Sequence, residues 1–122
     1  MTKAAAIQSF FEQVCTAYPS TAVVDETPDT YLTYTPVAGM YGDGNLAITI
    51  NIYCKTSSEA DINAVAQELS DMMSPRSATI TCDDGLIWIK RGSPWCQAIL
   101  DPTNRNLKRR YINAYVEFLT NR

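Results

Sequence analysis

The chain has 122 residues, 46% hydrophobic and 19% charged, with no histidine and a formal net charge of −3. That size suits a single domain over 1–122, since a chain this long buries roughly 65% of its unfolded surface, enough for one core. The composition excludes a disordered or fibrous chain. The lack of His excludes Ser-His-Asp triads and most zinc or iron sites, His being the commonest general base and metal ligand.

Met1-Thr2-Lys3-Ala4-Ala5-Ala6-Ile7-Gln8 turns polar too early for a secretion signal, and no apolar run approaches the ~20 residues that span a bilayer. A cytoplasmic protein without a membrane partner is expected. Cys15, Cys54, Cys82 and Cys96 are spread singly, without the CxxC spacing of a zinc or redox site, and are read as reduced thiols.

Lys3 to Tyr18 predicts an amphipathic helix. Ile7, Phe10, Phe11, Val14, Cys15 and Tyr18 form one apolar stripe, Thr2 is the N-cap, and Pro19 is the stop. Ala22-Val23-Val24 reads as a short strand, followed by the acidic turn Asp25 to Thr30. Tyr31 to Thr35, aromatic and β-branched, predicts a strand ending at Pro36, and Pro36 to Asn45 is a glycine-containing connection.

Leu46 to Lys55 alternates Leu46, Ile48, Ile50, Ile52 and Cys54 with smaller or polar residues, the signature of an antiparallel strand buried on one face. Thr56-Ser57-Ser58-Glu59-Ala60-Asp61 is a helix start, with Ser58 as cap and Asp61 at N3 as the acidic member of a capping box. Ile62, Val65, Ala66, Leu69, Met72 and Met73 continue that helix as a stripe until Pro75. Ala78 to Cys82 and Leu86 to Lys90 predict a hairpin around Asp83-Asp84-Gly85, with Gly92-Ser93-Pro94 breaking its second strand. Gln97 to Lys108, weakly periodic and containing Pro102, reads as loop with a short extended piece. Arg109 to Leu119 is a strand with Ile112, Ala114, Val116 and Phe118 on one side and Tyr111, Asn113, Tyr115, Glu117 and Leu119 on the other. The second side either packs on a neighbouring subunit or lies along the sheet of one chain.

These elements predict an α+β fold: a mainly antiparallel sheet of about four to six strands with two helices packed on one face.

Chemistry-bearing residues are sparse. Asp83-Asp84, an adjacent carboxylate pair, suits a hairpin turn for backbone reasons. Lys108-Arg109-Arg110 beside Tyr111 and Tyr115 has the make-up of a phosphate or single-strand platform, but a pI of about 4.8 opposes specific nucleic-acid recognition. No catalytic residue, metal site or cofactor is expected, so the chain is read as not an enzyme. Charge divides unevenly: residues 1–85 hold three cations against eleven carboxylates, a balance of −8, and residues 86–122 hold seven against two, a balance of +5. Either the halves mix on the folded surface or the molecule is two-faced and attracts copies of itself or an acidic partner.

The most distinctive stretch, Trp88 to Gln97, sets two Trp and two cations around Gly92-Ser93-Pro94. Trp and Arg commonly anchor interfaces, because they bury large areas while keeping a polar handle. The expected interface residues are Trp88, Lys90, Arg91, Trp95, Arg109, Arg110, Tyr111 and Tyr115. Charge reversal at Arg109 and Arg110 is expected to block assembly while the monomer stays folded.

Several segments together resemble the tail terminator (tail completion, neck) proteins of tailed phages and prophages. They are Ile7 to Glu12, Tyr31 to Pro36, the strand before Ser57-Ser58-Glu59, Ile87 to Gln97, and Lys108 to Asn113. The resemblance runs over nearly the whole chain and carries no catalytic signature. It implies a structural virion protein of the neck, assembled in the host bacterial cytoplasm. Six copies would form a ring on the head-proximal end of the tail tube, stop its polymerisation and give the head a docking surface. Its implied partners are copies of itself, the tail tube protein, the head–tail connector (adaptor) protein, and DNA passing non-specifically through the lumen. A head-completion or adaptor protein between portal and tail is the alternative, and a small carboxylate-dependent enzyme a third reading.

Overall fold

The Thr2 hydroxyl accepts a hydrogen bond from the Ala5 amide at 3.1 Å, and with that cap in place α1 runs Lys3–Glu12. The computed structural model describes residues 1–56, 58–99 and 106–121. Ser57 of the expected helix start and positions 100–105 of the expected loop lie outside them. Beyond α1 come β1 (Thr16–Pro19), β2 (Thr30–Tyr34), β3 (Leu46–Lys55), α2 (Glu59–Met72), β4 (Ser77–Cys82), β5 (Gly85–Ile99) and β6 (Leu107–Thr120).

The six strands form one sheet in the order β1-β2-β3-β6-β5-β4. Every pairing is antiparallel except β1 with β2. Alternation along the strands sends Leu32, Tyr34, Ile48, Ile50, Ile52, Ile87, Ile89, Ile112, Val116 and Phe118 to the inner face, all buried. Both helices pack there. Phe11 stacks on Tyr34 with ring centroids 4.8 Å apart, and Ile62 and Leu69 of α2 join the same core. Each fully buried Ile, Leu or Phe in it contributes roughly 1.5–3 kcal/mol. The fold is therefore the expected α+β arrangement. α1 touches both β1 and β4, the two margins of the sheet, so it bridges them across the curl.

Four local expectations are corrected. The first helix stops at Glu12, and Thr16–Pro19 pairs parallel with β2. Val14 and Cys15 still pack against the core, so the apolar stripe served two backbone shapes, and Pro19 is tolerated because β1 is an edge strand. Ala22-Val23-Val24 is exposed and lies in no strand. Ser58 caps α2 by accepting from the Ala60 amide at 3.2 Å. Asp61, however, accepts from the Thr56 hydroxyl at 3.0 Å, which turns it away from the reciprocal bond of a capping box.

Last, Gly92-Ser93-Pro94 bulges β5 without ending it. Arg91 pairs with Ala114 and Cys96 with Ile112, so Gly92 to Trp95 stand opposite Asn113 alone. Gly92 is needed for this approach: a Cβ there would lie 2.7 Å from the Asn113 backbone.

Candidate interaction surface

The outer face of the sheet carries side chains that no helix covers among the described residues. Four strands build its first cluster. Tyr18 on β1 meets Tyr31 on β2 edge-on at 6.1 Å, and Tyr31 stacks on Tyr53 of β3 at 4.8 Å. Register explains the stack, because Tyr31 and Tyr53 are directly paired across β2 and β3. Arg109 on β6, paired with Tyr53, lays its guanidinium 5.6 Å from that ring and donates twice to Asn51 Oδ1, at 3.0 and 2.8 Å.

A second cluster lies where β5 meets β6. The Lys90 ammonium sits 3.8 Å above the Trp88 ring and bonds Glu117 at 2.7 Å and Asn45 at 2.8 Å. Trp88 and Tyr115 remain 37% and 40% exposed, enough to contact another molecule without unfolding. Between the clusters runs an open cleft of about 450 Å³, lined by Ala47, Thr49, Pro94, Tyr111, Asn113 and Tyr115. The bulge forms one wall, held by a bond from the Asn113 side chain to the Pro94 carbonyl at 2.8 Å.

The expected interface residues therefore divide. Trp88, Lys90, Arg109, Tyr111 and Tyr115 lie on the outer face. Arg110 turns inward, only 8% exposed, to an ion pair with Glu59 and a 2.9 Å bond to Asn63, both on α2. Lys108 reaches the same carboxylate at 3.5 Å. Arg91 also faces α2, donating to the Ser70 carbonyl at 2.8 Å and hydroxyl at 2.7 Å, with the half-buried Trp95 ring 5.2 Å from its guanidinium. Its Nε is buried without a partner among the described residues. Arg91, Trp95 and Arg110 thus fasten α2, and Arg109 and Arg110 do not share a surface. Sequence reasoning missed Tyr18, Tyr31 and Tyr53. Only the cross-strand register brings them together.

Titration follows packing. The Arg110 guanidinium bonded to Glu59 holds that carboxyl below its usual range, with Lys108 adding to the effect. Burial pushes the Cys15 thiol up to about 12 and raises Cys54 and Cys96, which keeps them from the thiolate form that reacts. All four cysteines are free. Among the described residues, no three His, Cys, Asp or Glu gather to hold a metal ion, and no helix is long and apolar enough to cross a membrane.

No family model matches the chain, and no curated protein or solved structure shows significant similarity to it.

Proposed function

We propose that this chain is a structural subunit that works by joining copies of itself into a ring, in the manner of a tail terminator. In that reading the ring, hexameric in the family it resembles, caps the head-proximal end of a phage tail tube and receives the head connector. The observation that carries the proposal is the outer face, uncovered among the described residues, where aromatic rings and cations from five strands stand together while the inner face is filled by the chain's own helices. Two further features support it. The sheet has dissimilar margins, as a head-to-tail contact between unlike patches requires, and rings close only through such contacts. The overall acidic charge also suits a lumen through which DNA slides without sticking.

Light scattering after size-exclusion chromatography, with and without tail-tube protein, tests the proposal together with electron microscopy of tube ends. Rings seated on tube ends are the expected result. A chain that stays monomeric with tube protein present would overturn it, and rings seated on the portal would make the protein an adaptor.

A further inference from the structure

From the two margins of the sheet we infer how the ring closes: Thr21–Val24 of one copy adds as an antiparallel strand to the free edge of β4 in the next. The inference rests on the ring reading and names the contact.

The acceptor, β4, is the outermost strand on its side of the sheet among the described residues. The Arg91 amide donates to the Arg76 carbonyl at 3.0 Å, just ahead of the Ser77–Lys90 pair. Hydrogen-bonded positions in an antiparallel pair recur every second residue, so Ala78, Ile80 and Cys82 bond towards β5. Ser77, Thr79 and Thr81 then turn their N–H and C=O groups outward. Sheet edges are normally guarded by charge, proline or a bulge. Ser77-Ala78-Thr79-Ile80-Thr81-Cys82 has no charge or proline, and its register with β5 is unbroken. Beside it lies a groove of about 320 Å³ between Thr79-Ile80-Thr81 and the Ala6, Ser9, Phe10 and Gln13 side of α1. Its far end is held by Met1, whose carbonyl accepts from the Asp83 amide at 2.7 Å.

The donor is the segment that follows β1 at the opposite margin. Thr21-Ala22-Val23-Val24 has the β-branched, apolar make-up of a strand, yet it lies in no strand: the Ala22 amide closes a turn on the Pro19 carbonyl at 2.9 Å, and Val23 and Val24 are 42% and 49% exposed. Its length suits the open stretch of β4. Laid antiparallel, it brings Asp25 and Glu26 to the start of β4, where Arg76 is exposed, so the charges are complementary. Backbone bonds supply the affinity of such strand addition, and alternate side chains supply the fit, here Val23 or Val24 against the groove beside Phe10. Donor and acceptor lie at opposite margins of one chain, so the contact repeats head to tail.

Thr79→Pro is the sharpest probe, since it removes an outward N–H and leaves the bonds to β5 in place. Thr79→Pro and Val23→Asp/Val24→Asp should each raise the concentration for half-assembly about tenfold or more, read by light scattering, with the urea midpoint of the monomer unchanged. Arg76→Glu should weaken assembly, and adding Asp25→Lys/Glu26→Lys should restore it. Assembly by Thr79→Pro and the Val23/Val24 variant at the wild-type concentration would overturn the strand-addition contact and leave the ring standing. A wild-type chain that never assembles, even on tube ends, would remove both.

Discussion

Successive residues of β6 live in different surroundings. Lys108 and Arg110 reach inward to Glu59 and fasten α2, whereas Arg109 and Tyr111 face outward among Tyr53, Asn51 and Thr49. The inner cations hold a helix to a sheet and answer to the stability of the monomer. The outer ones are held in place by neighbours on adjacent strands and have no layer above them among the described residues. One strand thus separates two kinds of charge, and substitutions on alternate residues should separate folding from assembly.

The contrast breaks most visibly at Arg110. Arg110→Glu sets a buried carboxylate against Glu59 and should cost roughly 3 kcal/mol in urea unfolding, while Arg109→Glu leaves the midpoint nearly unmoved and weakens assembly. Equal destabilisation by the two would erase the distinction between faces. Gly92→Ala comes next. Its methyl would press on the Asn113 backbone at 2.7 Å, so a loss of about 1–3 kcal/mol is expected, together with disorder of the cleft wall seen as amide shifts around Asn113 and Tyr115.

Smaller still is the effect on folding of Trp88→Ser with Tyr115→Ser. Stability should stay within about 1 kcal/mol of the parent while rings are lost, as light scattering would report. An unchanged ring would detach these residues from assembly.

The smallest effect is a dependence on acid. Glu59 has a folded pKa below its unfolded value, so its contribution is present above the usual carboxylate range and fades as pH falls through the lowered folded value. Thermal unfolding followed from pH 6 downward should show this loss, and Glu59→Gln should flatten the curve in that window.

Much of this was legible in the chain. Alternation from Leu46 to Lys55 located β3 without help, and the same period in β6 groups Arg110 with Ile112 and Arg109 with Tyr111. Register was not legible, because it depends on which strands become neighbours, and with it went the Tyr18–Tyr31–Tyr53 cluster. The inward turn of Trp95 depends on a bulge that places four residues against one, a count no local pattern records. Val14 and Cys15 misled for another reason, since an apolar pair packs as well beyond a helix end as within the helix.

The strand order has a temporal consequence. β6 lies in the middle of the sheet but follows all five other strands in the chain, pairing with β3 on one side and β5 on the other. On a ribosome, β3 and its isoleucines therefore wait without their main partner until β6 has been translated, and the two halves of the sheet join late through long-range pairing. A nascent chain stalled before Leu107 should bind chaperones and resist digestion poorly.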